Sequence, residues 1–161
     1  MKKFVKIFNL PLLSLIIAIS FNAKANTQDT LKAFDEVIQQ HHGKVIYLDF
    51  WASWCTPCRK SFPWMNDMKA KYQEQGLVVL SVNLDANKSL AEKFLLETPA
   101  QFDIFYDSKG KVAKQFKIKG MPSSYLINRE GQLVSAHTGF NGKKKIKYEK
   151  EIQQLLNLTT E

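Results

Sequence analysis

Residues 45–63 read VIYLDFWASWCTPCRKSFP, and this stretch decides the fold of the chain. Its first seven residues are β-branched, aromatic or aliphatic apart from one aspartate, which predicts a buried strand over residues 45–51. A short turn follows, and then CTPC opens a helical pattern in which Pro57 occupies the first turn, where its missing N–H costs little. The only two cysteines of the chain, Cys55 and Cys58, are spaced so that a disulfide can form across this turn.

The position of the cysteines indicates thiol–disulfide exchange. A helix N-terminus presents unpaired N–H groups and a partial positive charge, which favour a thiolate at Cys55. We expect Cys55 to attack a disulfide and Cys58, one turn deeper, to resolve the mixed disulfide. The alternative is a metal site, but tetrahedral zinc needs four ligands and the chain has no second cysteine pair. Neither a metal nor another cofactor is therefore expected.

The motif and its surroundings resemble the thioredoxin superfamily. DFWASWCTPC is similar to the strand and active-site motif of thioredoxins and of the exported reductases typified by TlpA and ResA. Pro63 matches the helix-kinking proline of the family, Gly120-Met121-Pro122 matches its cis-proline loop, and SYLINREGQLV resembles the strand pair that follows. The resemblance covers residues 43–134 and implies a thioredoxin fold.

Asp49 is an acid inside an otherwise apolar strand, where burial of a carboxylate is costly and raises its pKa. The resemblance implies a role, because thioredoxins keep an aspartate at the matching position as proton acceptor for the resolving cysteine. The alternative is a carboxylate at a strand end that reaches water. Thioredoxins also carry a lysine beside this aspartate, and Ser81 stands at that place here.

The substrate-binding candidates are Trp54, Met121 and Pro122. In the resembling families the bond before the proline is cis and sets the backbone of the preceding residue beside the dithiol, where a substrate pairs with it like an added strand. Trp51 and Trp54 flank the cysteines and are candidates for an apolar rim, although Trp51 is equally well explained as a core residue.

The remaining pattern predicts an α/β fold with a mixed central sheet flanked by helices on both faces. Helix 88–97 and the strand after it lie within residues 88–107, which resemble the central insertion of the TlpA-like branch. The other expected helices span residues 30–40, 57–75, 112–116 and 143–156, and the expected strands span residues 45–51, 77–84, 102–106, 124–128 and 132–136.

Residues 1–25 have the pattern of a secretory signal peptide. A lysine-rich start precedes an apolar segment over residues 10–21, and Ala23-Lys24-Ala25 is a small-x-small cleavage site. We expect cleavage after Ala25 and a periplasmic thioredoxin-like domain over residues 26–161. The alternative, an uncleaved membrane anchor, requires about 20 consecutive apolar residues, and Lys6 and Asn9 interrupt the segment.

Charge and the resemblance together limit the partners. The chain has 23 basic and 15 acidic residues, and without the four lysines of the leader the net charge is only +4, which argues against a nucleic-acid binder. We expect a monomer that reduces protein disulfides, with electrons from a membrane dithiol carrier as the resemblance implies. One alternative is a DsbA-like oxidant, for whose helical insertion the chain has no room. The other is a copper-binding assembly chaperone using Cys55, Cys58 and His137.

Overall fold

The computed structural model describes residues 28–157 of the chain. These residues form a five-stranded sheet in the order β3-β2-β1-β4-β5. The strands are β1 (Val45–Trp51), β2 (Leu77–Asn83), β3 (Asp103–Tyr106), β4 (Ser123–Ile127) and β5 (Leu133–Thr138). The helices are α1 (residues 28–39), α2 (Thr56–Tyr72), α3 (Lys88–Glu97), α4 (Lys111–Gln115) and α5 (Gly142–Asn157).

Strand β1 is the centre of the sheet. It pairs in parallel with β2 and antiparallel with β4, and β3 and β5 complete the two edges. All seven residues of β1 are buried, because both faces of the sheet are covered by helices. The expected mixed sheet flanked by helices is therefore confirmed, and with it the thioredoxin-like fold.

The two faces of β1 contribute to two separate cores. Tyr47 and Trp51 belong to the core beneath α2, α3 and α5, whereas the alternate positions Leu48 and Phe50 belong to the core that α1 and α4 cover. This division follows from the period of two along a strand. We call the sheet face that carries Tyr47 and Trp51 the α2 face.

The expected insertion is present as α3 and β3, with β3 paired in parallel to β2 at the edge of the sheet. Helix α3 begins at Lys88 because the side chain of Asn87 caps it by accepting a hydrogen bond from the Ser89 N–H. The helix expected to run to residue 75 ends at Tyr72, and a 3₁₀ turn over Gln73–Gln75 leads to Gly76, whose φ of 97° suits glycine.

The expected signal peptide and its cleavage site lie outside the described residues. Within residues 28–157, no helix combines the length and the apolar character that crossing a bilayer requires.

Candidate active site

The two cysteines lie at the start of α2 and form a disulfide with an S–S distance of 2.02 Å. Cys55 is the N-cap of the helix, and its Sγ accepts a hydrogen bond from the Cys58 N–H at 3.3 Å. Cys55 is 6% exposed, which is less than its position at the helix end suggests. Cys58 has no exposed surface, so Cys55 is the more accessible of the two. The structure therefore shows the oxidised state, with Cys55 as the half that a partner can reach.

The loop between β1 and α2 is held in place by Asp85, a residue that sequence reasoning missed. One oxygen of this buried carboxylate accepts the Ser53 N–H at 2.9 Å, and the other accepts the Ser53 hydroxyl at 2.9 Å. The Asn83 side chain donates to Asp85 at 2.8 Å. The sequence does contain a signal for this contact, namely an acid shortly after β2. Because β1 and β2 are parallel neighbours, their carboxyl ends lie side by side, and a residue that follows β2 can reach the loop that follows β1.

Asp49 lies at the middle of β1 and is only 1% exposed. The alternative interpretation, a strand-end carboxylate in water, is therefore wrong. Its Oδ2 atom has no hydrogen-bond partner, and burial raises the pKa of Asp49 well above its usual range. Ser81 is its register partner on β2, at the place expected for the lysine of thioredoxins.

Asp49 lies on the face of β1 that α2 covers. Its neighbours on this face both contact α2: the Trp51 ring lies 4.6 Å from the ring of Phe62, and the Tyr47 ring lies 5.3 Å from that of Trp64. The carboxyl between them therefore faces the helix that carries the dithiol.

The two tryptophans differ in environment. Trp51 is fully buried and donates its indole N–H to the Ser81 hydroxyl at 3.1 Å, so it is a core residue. Trp54 is 68% exposed and lies next to Cys55 in sequence. It lines a groove of about 260 Å³ between the active-site loop and α3, with Ser53, Arg59, Leu90, Lys93, Phe94 and Glu97 as the other lining residues.

The Met121–Pro122 bond is cis, as the resemblance implies. Met121 is partly buried and packs against the core cluster that contains Cys55 and Cys58. The carbonyl of Pro122 accepts the Gly139 N–H at 2.7 Å, which ties this loop to the end of β5.

His137, the candidate copper ligand of the sequence, contacts α5 instead. Its Nε2 lies 2.7 Å from Glu151 Oε2 on α5, and its ring stacks on Tyr148 at a centroid distance of 4.0 Å. Among residues 28–157, no three or more His, Cys, Asp or Glu side chains form a group that could hold a metal ion.

The fold and the helix-terminal Cys55–Cys58 pair define a thiol–disulfide oxidoreductase of the thioredoxin type. The profile of the AhpC/TSA family matches residues 17–136, and the chain belongs to this family. The thiol-disulfide oxidoreductase ResA of Oceanobacillus iheyensis is 31% identical over 143 residues, which span 76% of this chain and 74% of that protein. The enzyme is ResA-like in this sense.

The chain also resembles solved structures of related proteins. A Chlorobium tepidum protein designated thiol:disulfide interchange protein DsbE is 48% identical, with a TM-score of 0.73 over 74% of this chain and 85% of its own. StoA from Bacillus subtilis is 29% identical, with a TM-score of 0.58 over 66% of this chain and 82% of its own. The likeness to these two structures therefore extends over 74% and 66% of this chain.

Proposed function

We propose that the protein is an exported reductase that donates electrons to protein disulfides. In one turnover the Cys55 thiolate attacks a substrate disulfide, forms a mixed disulfide and releases the first substrate thiol. Cys58 then loses its proton to Asp49 and attacks the Cys55 sulfur, which releases the second substrate thiol and closes the Cys55–Cys58 disulfide. Two electrons pass to the substrate, and a dithiol carrier at the membrane restores the reduced protein.

The observation that carries the direction of transfer is that neither residue between the two cysteines is charged. A strong oxidant stabilises the thiolate of its reduced form. Here the intervening residues are Thr56 and Pro57, which carry no charge. The nearby cation in sequence, Arg59, is paired with α3: its guanidinium lies 3.1 Å from the Glu97 carboxylate and 4.8 Å from the Phe94 ring centroid.

Asp49 supports the same direction. Once Asp49 is ionised, its buried negative charge disfavours a second negative charge on a cysteine sulfur. The disulfide is therefore comparatively stable and the dithiol is a good donor. We expect a reduction potential nearer the roughly −270 mV of thioredoxin than the roughly −120 mV of DsbA.

Equilibration with a series of glutathione redox buffers tests this direction. Because about 30 mV corresponds to a factor of ten for a two-electron couple, the two alternatives differ by about five orders of magnitude in the equilibrium constant. A potential above about −170 mV would make the protein an oxidase or isomerase and would exclude the reductase.

Trapping tests the class of substrate. In Cys58→Ser, Cys55 can still attack a substrate disulfide, but no second thiol is present to resolve the mixed disulfide. Mixed disulfides with protein substrates should therefore accumulate in the native host. Cys55→Ser is the matched control and traps nothing if Cys55 is the nucleophile. Equal trapping by both variants would contradict the assigned roles.

Export is the remaining part of the proposal. The lysine-rich start, the apolar segment and the Ala23-Lys24-Ala25 site support cleavage after Ala25. The mass of the protein recovered from the periplasm checks this, since a mature chain beginning at Asn26 is expected. A full-length chain in the membrane fraction would indicate an uncleaved anchor instead.

A further inference from the structure

A row of buried polar side chains crosses the α2 face of the sheet. Ser81, Asp49, Ser124 and His137 are successive register partners on β2, β1, β4 and β5. All four are buried. Since burying polar groups costs free energy unless they are hydrogen-bonded, four in one row call for an explanation beyond packing.

Hydrogen bonds connect part of this row to the protein surface. Tyr47 donates to the Ser124 hydroxyl at 2.9 Å, and Ser124 Oγ lies 3.4 Å from His137 Nδ1. On the other side of the ring, His137 Nε2 lies 2.7 Å from Glu151 Oε2. One assignment of hydrogens satisfies every contact: Ser124 donates to Nδ1, and Nε2–H donates to the Glu151 carboxylate.

The inner end of this chain is within reach of Asp49. Asp49 and Ser124 are direct partners in the antiparallel register, which places their Cβ atoms about 4.5–5.5 Å apart on the same face. The Oδ2 atom of Asp49 has no hydrogen-bond partner, and the Ser124 hydroxyl is the polar group of its register partner on β4.

The outer end of the chain opens to solvent. The Glu151 side chain is 22% exposed and lines a surface groove of about 430 Å³ together with Ser135 and Gln154. Ser135 donates to the same Glu151 oxygen at 2.6 Å, and the stacked ring of Tyr148 fixes the plane of His137. The His137 ring and the Glu151 carboxylate are therefore each held in one orientation.

We propose that His137 and Glu151 are positioning residues that relay the Asp49 proton to solvent through Ser124. This relay rests on the proposed role of Asp49 as proton acceptor for Cys58. Asp49 gives the proton to Ser124 Oγ while the Ser124 hydroxyl proton moves to Nδ1. The Nε2 proton then passes to the Glu151 carboxylate and on to water. No electrons move in these steps, and the reverse sequence returns a proton when the disulfide is next reduced.

Single-turnover oxidation of the reduced protein by a peptide disulfide, in H₂O and in D₂O, tests the relay. His137→Gln and Glu151→Gln keep hydrogen-bonding groups but cannot carry a proton in this way. Each should slow the Cys58 step by about a hundredfold, the low end of general acid–base contributions, and raise the solvent isotope effect. In a Cys58→Ser background, the rate of Cys55 attack should stay at its reference value.

Glu149→Gln is the matched control. Glu149 lies on the same helix with the same 22% side-chain exposure, but it pairs with Lys71 and Tyr72 outside the row. The rate of the Cys58 step and its solvent isotope effect should be the same in Glu149→Gln as in the unmodified protein. Wild-type rates in both solvents for His137→Gln and Glu151→Gln would overturn the relay.

Asp49→Asn, measured in parallel, separates this inference from the proposed function. If Asp49→Asn leaves the Cys58 step unchanged, the proposed base is wrong and the relay with it. If Asp49→Asn slows that step and the His137 and Glu151 variants do not, only the relay is wrong. Should those variants not fold, a proton inventory of the unmodified protein decides, because a relay gives a curved dependence on deuterium fraction and a straight line would overturn it.

Discussion

Replacement of Asp49 by asparagine should stabilise the oxidised protein, and increasingly so as the pH rises. The carboxyl is 1% exposed and its Oδ2 atom has no hydrogen-bond partner, so burial raises its pKa well above the usual range. Asparagine has nearly the same shape and cannot ionise. The substitution therefore removes the free-energy cost of keeping Asp49 protonated in the folded protein at a pH where it is ionised in the unfolded chain.

The direction of this pH dependence follows from the number of protons bound by the folded and the unfolded states. Above its ordinary pKa of about 3.9, Asp49 loses its proton in the unfolded chain but keeps it in the folded one. The folded state then binds more protons, so the free energy of unfolding falls as the pH rises, by about 1.4 kcal/mol per pH unit at most. The fall ends once the pH passes the raised pKa of folded Asp49. Asp49→Asn lacks this contribution entirely.

Urea unfolding of the oxidised protein at several values between pH 5 and 8 measures the difference. The gap in unfolding free energy between Asp49→Asn and the unmodified protein should widen with pH. Asp67→Asn, the same substitution at an exposed position of α2, is the control and should give a constant gap. A constant gap for Asp49→Asn as well would refute the reasoning, because it would mean that Asp49 titrates alike in both states.

Three further predictions concern the surroundings of the dithiol. Alkylation of the reduced protein should label Cys55 faster than Cys58, which has no exposed surface, and the opposite order by mass spectrometry would reverse their roles. Trp54→Ala should lower kcat/KM for a protein disulfide while the unfolding free energy stays within about 0.5 kcal/mol, because the ring is 68% exposed; an unchanged kcat/KM would remove Trp54 from the substrate site. Asp85→Ala should destabilise the oxidised protein in urea by about 1–3 kcal/mol, because it leaves the Ser53 N–H without its acceptor, and an unchanged midpoint would contradict that anchoring role.

The central part of the fold was predictable because its signals are local. The composition of residues 45–51 indicated β1, and the cysteine spacing with Pro57 indicated the start of α2. Helix α3 occupies the residues that its apolar spacing and Pro99 predict. The helical segment that begins with α2 ends before Gly76 as predicted, but its last three residues, Gln73–Gln75, form a 3₁₀ turn that no break in the apolar pattern marks.

The parts of the site that sequence reasoning missed depend on strand register. His137 and Glu151 are 14 residues apart on different elements, and only the pairing of β4 with β5 brings the histidine next to Ser124. A shift of one residue in that pairing would turn His137 to the other face of the sheet. The register between β4 and β5 cannot be read from any local sequence pattern.

Asp49 and Asp85 show why burial alone does not identify a reactive acid. Both carboxyls are almost completely buried; Asp49 lies in β1, which leads to the dithiol, and Asp85 lies two residues after the end of the neighbouring β2. Asp85 accepts hydrogen bonds from Ser53 and Asn83, so its charge is compensated and its task is to hold the loop. Asp49 has a free oxygen and a raised pKa, so its proton is the one that can be exchanged. The difference lies in their hydrogen-bond partners: Asp85 anchors the loop, and Asp49 is the acid for which we propose proton transfer.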